Sequence, residues 1–295
     1  MENATPLIIE AAINGATSKE KNRRVPRTVD EIVESAFACL EAGASIVHNH
    51  NDEPNVGGPG RHASEPYAAA WSRILERYPD ALLYPTYAGG GPHTNVRERY
   101  AHIHELRLAG LLRMPLLDPG TVNKDGLDPD GAPGTGDDVY QTTFGDVRWM
   151  MDYCREHRLA PSVSIFEPGW LRLALAYHAR GELPRGTLIK LYFGGGSPLF
   201  GLPPTRPGLE AYLSMLRGTG LPWLVAVQGG DVVAGGLAQL ALENGGHVRV
   251  GLEDYDGPRQ PRNEELLREV AVLAEAAGRP VATPREAARI LDLPE

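Results

Sequence analysis

Cysteine is scarce in this chain: Cys39 and Cys154 are the only two. Both fall in stretches of helical periodicity, and neither has metal-type spacing. A disulfide framework is therefore not expected, and a reducing, cytoplasmic setting is. Long apolar runs are also missing. No stretch approaches the ~18–20 apolar residues of a membrane span. The opening Met1-Glu2-Asn3-Ala4-Thr5-Pro6 lacks the basic start and apolar core of a secretory leader. Basic residues are in deficit, 29 Lys and Arg against 38 Asp and Glu, for a net charge of −9. That balance argues against non-specific binding of nucleic acid or an anionic membrane. No internal repeat or low-complexity tract stands out. The glycine triplets Gly89-Gly90-Gly91 and Gly194-Gly195-Gly196 match neither a P-loop nor a dinucleotide fingerprint. They are read either as turn chemistry or as a close approach to a phosphate or substrate.

What is present is a rhythm. Short apolar runs near 7–13, 45–50, 81–86, 112–117, 161–166, 187–193, 222–227 and 247–252 read as strands. Their continuous apolar character fits strands buried on both faces. Helical patterns lie near 29–42, 65–78, 94–108, 140–157, 169–180, 207–218, 232–244 and 262–277, with a short final helix near 284–291. Thr28 and Glu31, and again Thr283 and Glu286, have capping-box spacing, and Gly43 is a C-terminal stop. Eight β–α units predict an α/β fold, a (β/α)8 TIM barrel, as one domain over 1–295. The segment 124–139, rich in Gly, Asp and Pro, is expected to be a long loop.

Such a barrel gathers its chemistry at the carboxyl ends of the strands. Polar residues fall there: Asn14 and Thr17, His48 and His50, Thr86, Asp118, Thr121 and Asn123, Glu167, Gln228 and Asp231, Glu253 and Asp254. In Ser45-Ile46-Val47-His48-Asn49-His50 the two imidazoles share a strand face, because side chains alternate. They make half of a metal site. The last strand alternates Arg249, Gly251 and Glu253 onto one face, so Glu253 is the expected third ligand, with Arg249 just below it favouring the ionised carboxylate. The two strands would both flank the first, so their ends can converge. Asp254 is out of phase and expected on the rim, as a base or as support for a ligand. His102-Ile103-His104 lies in a helical pattern, where i and i+2 diverge, and is expected to serve packing. Glu10 should alternate inward on the first strand, as structure or as tuning of the site. The basic loop Lys21, Arg23, Arg24 and Arg27 is either solvated or meets an anionic substrate tail.

Taken together these residues resemble the β-keto acid cleavage enzyme family, best known for 3-keto-5-aminohexanoate cleavage. The resemblance is carried by Leu7-Ile8-Ile9-Glu10-Ala11-Ala12-Ile13-Asn14-Gly15-Ala16, by Ala42-Gly43-Ala44-Ser45-Ile46-Val47-His48-Asn49-His50 and by Leu117-Asp118-Pro119-Gly120-Thr121-Val122-Asn123. Phe166-Glu167-Pro168-Gly169, Gly246-His247-Val248-Arg249-Val250-Gly251-Leu252-Glu253-Asp254 and Ala282-Thr283-Pro284 complete it. It implies a zinc-containing (β/α)8 barrel that reacts a 3-keto acid with acetyl-CoA to give an acyl-CoA and acetoacetate. It implies His48, His50 and Glu253 as zinc ligands and Arg249 with Asp254 as the catalytic pair. Thr121 matches a substrate-contacting threonine, Thr86 a contacting serine, and Thr17 a position often held by glutamate; Asn123 is expected beside them. It also implies a homo-oligomer, often a tetramer. Two histidines and a carboxylate by themselves also suit Fe2+ or Mn2+.

The chain departs from the family pattern around this site. Asn51-Asp52-Glu53 replaces a valine, arginine and aspartate, and Ser164 replaces a glutamate. Thr86-Tyr87-Ala88-Gly89 replaces a Ser-Thr-Gly-Gly-like stretch, and Gln228-Gly229-Gly230-Asp231 follows the seventh strand. Without the acid at position 164 an amino-bearing substrate is disfavoured. Competing expectations are a metal-dependent hydrolase or CoA-independent lyase on the same barrel, and a metal-containing binding protein without turnover.

Overall fold

Strands and helices alternate along the computed structural model, which describes residues 5–53, 60–91 and 93–294. Met1 to Ala4, part of the opening stretch read for a leader, lie outside the described residues. The first half runs β1 (Ile9–Ala12), α1 (Val29–Glu41), β2 (Ile46–Asn49), α2 (Glu65–Arg77), β3 (Leu82–Pro85), α3 (Val96–Arg99), α4 (Ala101–Leu108) and β4 (Leu116–Leu117). Next come β5 (Val122–Asn123), β6 (Val139–Tyr140), α5 (Phe144–Glu156), β7 (Ser162–Ile165) and α6 (Pro168–Ala179). The chain ends with β8 (Leu188–Gly194), α7 (Arg206–Leu216), β9 (Trp223–Gln228), α8 (Leu237–Glu243), β10 (His247–Val250), α9 (Asn263–Ala276) and α10 (Pro284–Ile290).

Eight strands form one parallel sheet in the order β3-β2-β1-β10-β9-β8-β7-β4. The two ends of that order, β3 and β4, are consecutive along the chain, so the sheet curls into a nearly closed (β/α)8 barrel. At the seam a side chain bridges them: the Asp118 amide after β4 donates to the Tyr87 hydroxyl after β3, at 2.9 Å. β4 is shorter than the apolar run 112–117 suggests. Pro115 has no N–H to give a ladder, and regular pairing begins just beyond it. The barrel strands are buried along their lengths, as parallel strands covered by helices must be.

Local chemistry sets the boundaries. Thr28 and Thr283 close the expected capping boxes with Glu31 and Glu286. The helix expected over 140–157 starts later, because Thr143 caps it with Asp146 and Val139–Tyr140 pairs antiparallel with Val122–Asn123. The segment 124–139 is therefore the connection of a two-stranded ribbon. The pattern at 94–108 is two helices, broken at the fully buried Tyr100, whose hydroxyl donates to the Leu116 carbonyl. Both cysteines are free and buried, in α1 and α5. Among the described residues no helix is long and apolar enough to cross a membrane.

Candidate metal centre and active site

The register explains how distant residues meet. β1 pairs with β2 on one side (Ala12 beside His48) and with β10 on the other (Glu10 beside Arg249). The carboxyl ends of β2 and β10 thus face each other across β1. His48 Nε2 lies 3.3 Å from Glu253 Oε2, and His50 Nε2 lies 3.3 Å from Glu253 Oε1. One atom from each of the three residues falls within 4.8 Å of the others.

Each ligand is held by its neighbours. His48 Nδ1 donates to the Tyr84 carbonyl at 3.1 Å, since a carbonyl can only accept. That fixes the tautomer and leaves the Nε2 lone pair aimed at Glu253. Tyr84 also stacks on the same imidazole, with ring centres 4.4 Å apart. The His50 amide donates to Asn14 Oδ1 at 2.8 Å, and Asn14 Nδ2 returns a bond to the His50 carbonyl at 3.0 Å. Glu253 is not on the strand, which ends at Val250; a turn folds it back, its amide donating to the Ala12 carbonyl at 3.1 Å. Gly15 makes the room. It has φ +52, and a Cβ there would lie 2.2 Å from Glu253 Cγ. Gly15→Ala is therefore expected to displace the carboxylate and lower metal affinity by about 10–100-fold, while the barrel still folds. Competition with a chelating dye, alongside a thermal melt, measures both; wild-type affinity would refute the assigned role of Gly15.

Beneath the triad lies a buried charge network. The Arg249 guanidinium reaches Glu253 Oε1 at 2.8 Å, Asp254 Oδ2 at 2.7 Å and Glu10 Oε1 at 2.9 Å. The Tyr84 hydroxyl donates to Glu10, accepts from Lys190 Nζ at 2.8 Å and accepts from Arg249 at 3.1 Å. Burial alone would raise the pKa of Glu253; the Arg249 guanidinium is the strongest opposing influence, and the carboxyl lies well below the ordinary range. Burial pushes His48 down to about 4 against the pull of Glu253, so its imidazole is neutral, as a ligand must be. Asp254 is pushed up to about 6 by burial, with Arg249 opposing and the Glu253 charge adding.

A divalent metal fits this set. Among the described residues Glu253 Oε2 is buried with no hydrogen-bond partner, beside two oriented imidazole nitrogens. Two histidines and one carboxylate are a donor set of catalytic metal sites that keep a position open.

The triad opens into a cavity of about 790 Å³. Thr17, Thr86 and Asp254 line it. Asp254 is not a solvated rim residue: it is 5% exposed and ion-paired to Arg249. Its expected position rested on strand alternation, which stops at Val250. The structure does not place Thr121 or Asn123 on the cavity wall. The exposed Thr121 hydroxyl donates to the Thr142 carbonyl at 3.3 Å, and Asn123 is exposed in β5. Asp118, three residues earlier, reaches the wall instead. Lys190, Tyr192, Lys124 and Tyr140 also line it and were not singled out from the sequence. The glycine triplets serve packing: the Gly195 and Gly196 amides bind the Gln228 and Gly229 carbonyls, and a Cβ on Gly90 would meet the Gln141 carbonyl. His102 and His104 bind the Thr86 carbonyl and the Tyr153 hydroxyl, as packing residues.

The sequence pattern of the beta-keto acid cleavage enzymes matches residues 6–293. The chain belongs to that family. It is 31% identical over 293 residues to a 3-keto-5-aminohexanoate cleavage enzyme of Fusobacterium nucleatum, covering 97% of this chain and 98% of the relative. It is 30% identical to a 3-oxoadipate:acetyl-CoA acetyltransferase of Cupriavidus necator, covering 98% and 95%. Among solved structures, ObcA in a ternary complex with a C4-CoA adduct and oxalate superposes with a TM-score of 0.68 at 17% identity, over 92% of this chain and 68% of ObcA. That likeness is one of fold.

Proposed function

We propose that this family member is a zinc-dependent β-keto acid cleavage enzyme that converts a 3-keto acid and acetyl-CoA into an acyl-CoA and acetoacetate. One observation carries the reading: the His48–His50–Glu253 triad and Asp254, ion-paired from beneath by Arg249, open on the same cavity. The two curated relatives are named for β-keto acid cleavage and for acetyl-CoA-dependent transfer.

His48, His50 and Glu253 would hold a divalent ion, which would supply Lewis-acid polarisation of the keto oxygen and so acidify the adjacent C2–H. Asp254 takes that proton, its carboxylate aimed by Arg249 through two hydrogen bonds at 2.7 and 3.3 Å. C2 then bonds to the acetyl carbon, C2–C3 breaks, and the CoA sulphur moves from the acetyl carbon to C3. The proton returns to C2, so the step balances without any other reactant. Arg249, with Nη2 also on Glu253 and Nη1 on Glu10, keeps the base and the ligand carboxylate in fixed relation.

The test is a mass-spectrometric turnover screen of zinc-loaded protein on a panel of 3-keto acids, with and without acetyl-CoA, and with His48→Ala as the blank. A new acyl-CoA together with acetoacetate is the expected result. Product formed equally well without acetyl-CoA would replace this reading with a lyase or hydrolase. Absence of product across the panel would overturn it.

A further inference from the structure

The cavity holds three lysines, and one of them makes no close ion pair. Lys21 pairs with Asp256 at 3.0 Å. Lys190 donates to the Tyr84 hydroxyl at 2.8 Å, with Glu10 at 3.7 Å. Lys124 is different. Its backbone amide is anchored to the Asp138 carbonyl at 2.9 Å, across the start of the ribbon. Its ammonium sits 4.6 Å from the centre of the Phe166 ring, 5.6 Å from that of Tyr140 and 5.8 Å from that of Phe200. Among the described residues it makes no hydrogen bond and no ion pair; the carboxylates of Asp118, Glu253 and Asp254 act on it only from a distance. The collar is firm: Phe166 stacks on Tyr192 with ring centres 4.3 Å apart and meets Phe200 at 4.9 Å. Aromatic packing, and not a partner, therefore aims this cation into the cavity. A cation–π contact is weaker than the charge-assisted bond a desolvated ammonium makes with an anion.

We propose that Lys124 is a specificity-determining residue, and that the substrate carries a second anionic group, a carboxylate besides that of the keto acid head, which pairs with this ammonium. This rests on reading the cavity as the keto acid site. Asp118 is the competing feature, because its Oδ1 is buried without a hydrogen-bond partner. Its charge is nonetheless answered. The Tyr140 hydroxyl donates to Oδ2 at 2.5 Å, and the buried Arg99 guanidinium lies behind Tyr87 and Tyr140, at 4.9 and 5.7 Å from their ring centres. A substrate ammonium at Asp118 would face Lys124 unshielded. A carboxylate gives Lys124 the close ion pair it lacks. Ser164, also on the wall, adds no charge of either sign.

The experiment is calorimetric binding to the metal-loaded protein, with no turnover read. The probes are the unbranched dicarboxylates from succinate to suberate, the monocarboxylates of equal length, and the matching ω-aminocarboxylates. The best-fitting dicarboxylate is expected to bind at least about tenfold tighter than its monocarboxylate partner. That preference should shrink to within about twofold in Lys124→Met and survive in Lys124→Arg. Equal affinities in the wild type, including no binding of either probe, would overturn the proposal. So would a preference that persists in a folded Lys124→Met. Preference for the ω-aminocarboxylate would assign the distal end to Asp118 instead. The wild-type series decides even if the variants do not fold. Because no cleavage is measured, a failure here is separate from a failure of the proposed reaction.

Discussion

Glu253→Gln is expected to lower metal affinity by at least about 100-fold and turnover by about 10³-fold. Glutamine keeps the shape of the side chain and loses its charge. In the native arrangement the Glu253 carboxylate faces an imidazole nitrogen with each oxygen and takes a guanidinium N–H as well. An amide NH2 in place of either oxygen presents protons to an imidazole lone pair and leaves no anionic donor. Arg249 keeps Glu10 and Asp254, so the fold survives the change. Chelator competition gives the affinity, and the acyl-CoA assay gives the rate. Wild-type metal affinity in Glu253→Gln would remove this residue from the ligand set.

The largest stability effect is expected at Arg249. Its side chain is completely buried and contacts three carboxylates. Arg249→Met preserves much of the volume but leaves those carboxylates facing one another. Breaking a buried pair in this way costs about 3–5 kcal/mol, or roughly 10 °C in melting temperature for a chain of this size. The sign with pH follows from linkage. Arg249 lowers the pKa of Glu10, Glu253 and Asp254, so its loss lets burial raise all three. A carboxyl whose folded pKa exceeds its unfolded value destabilises the fold progressively as pH rises through that interval. The variant should therefore lose less relative to wild type at about pH 5 than at about pH 8. A melting temperature unchanged at both would show that the network is relaxed by water.

Much of this site is legible in the sequence, for identifiable reasons. His48 and His50 share a face because strand alternation operates on β2, and a lone Arg249 in an apolar strand demands an anion. The same argument applied to Lys190, alone between Ile189 and Leu191, points to the Glu10–Tyr84 partners that the structure reveals. Alternation fails where strands end. Past Val250 the chain coils, with the Asp254 and Tyr255 amides both returning to the Gly251 carbonyl, and both acids fold back over Arg249. Glu253 thus reaches the histidines by a turn and not by a strand face. Thr121 and Asn123 fall on the outer side of a ribbon whose pairing no local pattern announces. Lys124 owes its aim to Phe166 and Phe200, rings that a sequence cannot bring together.

The order in which the sheet is built gives the triad a further property. His48 and His50 belong to the start of the chain, Glu253 to the turn after its last strand, and β1 lies between them only once β10 has docked against it. No partial assembly of the early units holds all three donors. An ion caught by this set reports a finished ring, and its binding energy is spent at the junction between the two ends of the polypeptide. Metal loading therefore acts as a clasp across that junction.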